Sequence, residues 1–88
     1  FIAAQPSLEV APNPASDEVT LRLSTPNPDR LELTVVDMFG RPVEGVWEAF
    51  TNSSVTLRYT VASLPPGVYF VRCVGSSGVT VEKFTVAR

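Results

Sequence analysis

Val55-Thr56-Leu57-Arg58-Tyr59-Thr60-Val61-Ala62-Ser63-Leu64-Pro65-Pro66-Gly67-Val68-Tyr69-Phe70-Val71-Arg72-Cys73 decides the fold. Val55, Leu57, Tyr59 and Val61 alternate with Thr56, Arg58 and Thr60. Tyr69, Val71 and Cys73 then alternate with Phe70 and Arg72. A period of two sends successive side chains to opposite faces of a strand, so each run has one apolar and one polar face. Between the runs, Pro65-Pro66-Gly67 is incompatible with a continuing strand or helix and marks a turn. Strands with one face for a core and one for water form antiparallel sheets.

The same period extends outward in both directions. Val19, Leu21 and Leu23 alternate with Thr20 and Arg22, and Leu31, Leu33 and Val35 alternate with Glu32 and Thr34. Pro12-Asn13-Pro14 and Pro26-Asn27-Pro28 forbid helix and begin turns. Asp37-Met38-Phe39-Gly40-Arg41 spells a tight hairpin, with the Asp side chain positioned to bond the turn backbone and Gly40 free to take positive φ. Gly75-Ser76-Ser77-Gly78 is a further turn. Val43, Val46, Trp47 and Phe50 also fit helical spacing, but Pro42 and Gly45 disfavour a helix, so this segment reads as an irregular or bulged strand. About seven strands result, near 7–11, 18–24, 31–37, 43–49, 54–61, 68–74 and 79–86. Short strands at such spacing imply an all-β, immunoglobulin-like antiparallel β-sandwich, without the paired Cys and spaced Trp of antibody domains. The domain spans 7–88, and 1–6 form a linker.

Composition narrows the function. The chain has 88 residues, 44% hydrophobic and 18% charged, which suits one small folded domain and argues against disorder. Fourteen Val and eight Thr favour a pleated surface. A net charge of −2, with no basic patch, speaks against nucleic acid as a partner. No apolar run approaches the ~20 residues of a spanning helix. The first residue is Phe1, not Met, so the chain reads as a piece of a longer protein, with any export leader upstream.

Candidate chemistry is sparse. With no His and a single Lys, the sequence offers no nucleophile–base pair, no usual zinc set and no phosphate loop, so neither an enzyme nor a cofactor is expected. Asp17, Glu18 and Asp37 read as turn and strand-edge carboxylates. Cys73 is alone and reads as a small core residue. Asn52-Ser53-Ser54 matches a glycosylation triplet that also arises by chance. Trp47 and Phe50 are the one aromatic cluster that could serve a sugar, and they read as core. Phe70 is expected beside Arg72, outside the core.

Four segments together resemble the C-terminal sorting domains of cargo proteins of the type IX secretion system of Gram-negative bacteria. They are Pro12-Asn13-Pro14 and the strand after it, Leu33 to Val43 around Asp37, Gly40 and Arg41, Leu64 to Arg72 around Gly67 and Tyr69, and the terminal Lys83-Phe84-Thr85-Val86-Ala87-Arg88. They stand in family order, although many members end in a more Lys-rich strand. The resemblance implies a folded export signal that steers an upstream cargo from the periplasm through the outer-membrane translocon. A cell-surface sortase would then remove the domain, near Phe1 to Pro6 or upstream, and attach the cargo to anionic lipopolysaccharide. Recognition would involve Pro12, Asn13, Pro14, Asp37, Gly40, Arg41, Gly67, Tyr69, Lys83, Phe84, Val86 and Arg88. The terminal strand would offer an exposed edge to the machinery. The alternatives are an uncleaved module retained as an interaction or signalling surface, and an accessory sandwich on a secreted enzyme. Edge strands could also pair or swap between copies into a homodimer.

Overall fold

The alternating runs become strands because each must bury one face. A computed structural model describes residues 7–25, 29–43, 47–51, 53–76 and 78–87, with 47–51 as backbone alone. The strands are β1 (Ser7–Ala11), β2 (Glu18–Ser24), β3 (Asp29–Asp37), β4 (Trp47–Thr51), β5 (Ser54–Thr60), β6 (Gly67–Gly75) and β7 (Gly78–Val86). All pairings between them are antiparallel. They form a three-stranded sheet, β1-β2-β5, and a four-stranded sheet, β4-β3-β6-β7. The molecule is thus a seven-stranded immunoglobulin-like sandwich. In the constant-type arrangement the fourth strand lies beside the fifth; here it pairs with the third.

The apolar sets meet between the sheets. Val19, Leu21 and Leu23 of β2 face Leu31, Leu33 and Val35 of β3 and Val71 and Cys73 of β6, all essentially inaccessible to water. Tyr59, Val61, Leu64, Tyr69, Phe84 and Val86 extend this core. Burying each such side chain fully is worth about 1.5–3 kcal/mol, so the core dominates stability. Val55 and Leu57 are only partly buried, because β5 is an edge strand with a neighbour on one side. Phe70 is half-buried and Arg72 exposed on the outer face of the four-stranded sheet, as their register requires. Cys73 lies in the core, and loss of hydration there, reinforced by the negative charge of Asp29, pushes its thiol pKa up. It is a packing residue.

The strand expected at 43–49 is displaced. Pro42 forms only an isolated bridge to Val36, and regular pairing resumes with Trp47 opposite Leu33. Val43 still bonds β3, its N–H donating to the Val35 carbonyl at 2.9 Å, and residues 44–46, where the bulge was expected, lie outside the described residues. Pro42 has no N–H to give a ladder, which explains why pairing breaks there. Other strand ends differ by one or two residues: β3 begins at Asp29, and β6 and β7 incorporate the glycines of their shared turn. The linker at 1–6, the Pro26-Asn27-Pro28 turn, Asn52 and the side chains of Trp47 and Phe50 lie outside the described residues.

Candidate functional site

The body measures 42 × 23 × 21 Å, so it has two distinct ends. Registers fix what gathers at each. Glu18 pairs with Thr60, Asp37 with Tyr69, and Gly67 with Val86. The start of β2, the ends of β3 and β5, the start of β6 and the end of β7 therefore share one pole. The segments 12–17, 38–42 and 61–66 cap it, and with the adjoining ends of β3, β6 and β7 they bring Pro12-Asn13-Pro14, Asp37 to Arg41, Gly67 and Tyr69, and Lys83 to Val86 to this pole.

The first and last motifs are joined directly. The Asn13 side-chain oxygen accepts from the Thr85 backbone N–H at 2.9 Å, 72 residues away, and its Nδ2 donates to the Lys83 carbonyl at 3.4 Å. The Ala15 N–H donates to the Thr85 carbonyl at 2.8 Å, and the Ala87 N–H donates to the Ala15 carbonyl at 2.9 Å. Ala15 thereby runs parallel to Val86 and is buried. Residues 13–15 cover the outer edge of β7 from 83 to 87. In an antiparallel ladder alternate residues turn their backbone groups outward. Those of 83, 85 and 87 point to the clip, so those of 79 and 81 point outward as well. Among the described residues no further strand pairs with β7 on that side. The exposed edge expected at the terminus is thus occupied, and the open stretch lies earlier. Glu82 has the core-facing parity of Phe84 and Val86 yet remains exposed, an inward charge of the kind that protects an edge from unwanted pairing.

The third motif is built around Tyr69. Its ring is buried and stacks on Phe84 with centroids 5.8 Å apart, and its hydroxyl donates to the Pro65 carbonyl. This bond ties the Pro65-Pro66 turn to the sheet. Gly67 follows at φ +155°, a conformation that side-chain-bearing residues rarely adopt.

The second motif is a closed turn. Asp37 Oδ1 accepts from the backbone N–H of Phe39 at 2.9 Å and of Arg41 at 3.0 Å, and Oδ2 lies 3.3 Å from Arg41 Nε. The Gly40 N–H donates to the Asp37 carbonyl at 2.9 Å, and the Asp37 N–H donates to the Arg41 carbonyl at 2.9 Å. Gly40 sits at φ +81°, as the sequence requires. The carboxyl of Asp37 is held below the ordinary Asp range. The Arg41 amide is the main cause and outweighs partial desolvation; the Phe39 amide and the Arg41 charge add to it. A depressed carboxylate contributes stability above its unfolded pKa and loses that contribution as pH falls through the folded value. The turn should therefore loosen below about pH 4. Nuclear magnetic resonance of the 38–41 amides against pH would show it, and Asp37→Asn should remove this acid step.

Pro12, Asn13, Pro14, Gly40, Arg41 and Lys83 are exposed at or near the pole, and Asp37 and Gly67 are half-buried. Tyr69, Phe84 and Val86 are buried in the core. Arg88 lies outside the described residues. Ala15 was not singled out by the sequence, and nothing but its small size hints that it fits between two strands. Among the described residues no three metal-ligating side chains converge.

A family model described as a secretion system C-terminal sorting domain matches residues 9–87. Among curated proteins none matches. The match spans the four segments up to Ala87, and the chain belongs to the family of type IX secretion system C-terminal sorting domains.

Proposed function

We propose that the domain is the export address of a cargo carried upstream in the same chain, and that the translocon reads it as a folded unit at the motif pole. Family membership implies export across the outer membrane to the cell surface or the medium. The observation that carries the finer reading is the clip between Asn13-Pro14-Ala15 and Lys83 to Ala87. Motifs from the two ends of the domain make one surface, so a reader at the pole meets it only when folding is complete. The domain acts as ligand and substrate, not as a catalyst. After passage from the periplasm a surface sortase removes it within or upstream of 1–6, and the cargo passes to anionic lipopolysaccharide.

A fusion of residues 1–88 to a fluorescent reporter with an ordinary export leader, made in a type IX-competent strain, tests this. Cell fractionation should find the reporter at the surface or in the medium, and mass spectrometry should find it lighter by the domain. Delivery with the domain still attached would favour the retained-module reading. A reporter left in the periplasm would refute the sorting role.

A further inference from the structure

Met38 and Phe39 form the tip of the β3 turn, and neither side chain joins the core. They are 62% and 75% exposed, the most exposed large apolar residues among those described. The turn itself needs Asp37 and Gly40, whose bonds and positive φ close it. Central turn positions ordinarily hold Gly, Asn, Asp or Ser, because these suit the backbone and water. Two large apolar groups here cost solubility and give the core nothing.

The tip is also rigid. Four hydrogen bonds to Asp37 and Arg41 backbone or carboxylate atoms fix residues 37–41. Arg41 lies over the Phe39 ring, with its guanidinium carbon 5.4 Å from the centroid, and its side chain is 75% exposed. A preordered aromatic loses little entropy on docking, and aromatic, Met and Arg side chains are enriched where interfaces gain most energy.

Charge selects the occupant. At this pole the carboxylates of Asp17, Glu18 and Asp37 outnumber the cations of Arg41 and Lys83, so it does not favour an anionic lipid surface. A narrow convex tip of two side chains fits a concave site. We infer that the Met38–Phe39 tip inserts into an apolar pocket of a protein in the export machinery, with a carboxylate at the pocket mouth facing Arg41. This rests on the reading that the motif pole is the recognised surface.

The test compares the unaltered fusion with Met38→Ser/Phe39→Ser and Phe39→Leu fusions. The purified chains are followed by thermal unfolding in parallel. The double variant should lower surface delivery about 10-fold or more, while its unfolding midpoint moves by less than about 4 °C. Phe39→Leu, which keeps an apolar tip, should still be delivered. Unimpaired delivery of the double variant beside a delivered parent would overturn the inference and leave the sorting role standing. Loss of delivery with a large fall in the midpoint would overturn it too, by making the tip structural. Failure of the unaltered fusion would remove the sorting role and this inference together. Tip-dependent binding to phosphatidylethanolamine–phosphatidylglycerol vesicles, or a tip-dependent dimer in sedimentation, would replace the pocket with lipid or with a second copy.

Discussion

Phe84→Ala should cost about 3–5 kcal/mol, the usual penalty for emptying a buried aromatic site. Phe84 is fully buried, stacks on Tyr69 and lies on the last strand, next to the clip. A domain of this length has ~4–13 kcal/mol in total, so the loss consumes much or all of it. The unfolding midpoint should fall by ~12 °C or more, and chemical denaturation would measure the change directly. Delivery of a fused reporter should fail with it. Phe84→Leu separates the two meanings of that failure. It retains most of the buried volume, costs about 1–1.5 kcal/mol, and should preserve delivery if Phe84 acts through the core. Loss of delivery by a folded Phe84→Leu domain would mean that the ring itself is read.

Ala15→Asp should open the clip. The carboxylate would enter a site where Ala15 is 1% exposed, between the segment after β1 and the end of β7. An unpaired buried charge and the lost fit together cost roughly 2–4 kcal/mol. The damage should begin locally, because the bonds of Ala15 with Thr85 and Ala87 are the ones displaced. Amide exchange at Thr85 and Ala87 should accelerate ahead of exchange in Val71 and Leu33 at the centre of the core. Ala15→Ser, which adds one small polar atom, should have a much weaker effect. Uniform acceleration across all strands would show that the clip is not a separable unit.

The clip also changes how the chain end is understood. Removing residues 84–88 takes out Phe84, Val86 and the Ala87 bond to Ala15. A truncated domain that fails to export would therefore report lost folding as readily as lost recognition. Point substitutions at exposed Lys83 or Arg41 are the cleaner probes.

Strands were legible in the sequence because period-two alternation is a local property. Val19-Leu21-Leu23 and Leu31-Leu33-Val35 needed no knowledge of their neighbours to be assigned a buried face. Turn chemistry was equally local, so Asp37 and Gly40 gave their roles directly. The segment after Pro42 was less clear, since Val43, Val46, Trp47 and Phe50 fit a helical period as well as a strand while Pro42 and Gly45 disfavour a helix. Sheet membership of β4 could not be read, because strand pairing is a long-range choice. The meeting of Asn13 with Thr85 belongs to the same class: 72 residues separate them, and neither residue alone signals the other. The burial of Tyr69 was legible from its alternation with Val71 and Cys73, and that of Phe84 and Val86 follows from their inward parity on β7, so these motif residues shape the pole from inside.

In-cell photo-cross-linking from single exposed positions tests recognition at the motif pole. Photoreactive residues would replace Ser63 and Lys83 at the motif pole, whose side chains take no part in the clip, and Ser53 and Ser76 at the opposite end, in the fusion made in a type IX-competent strain. Adducts with a protein of the export machinery are expected from positions 63 and 83, and none from 53 and 76. Adducts from 53 and 76 alone, or equally from both ends, would contradict recognition at the motif pole.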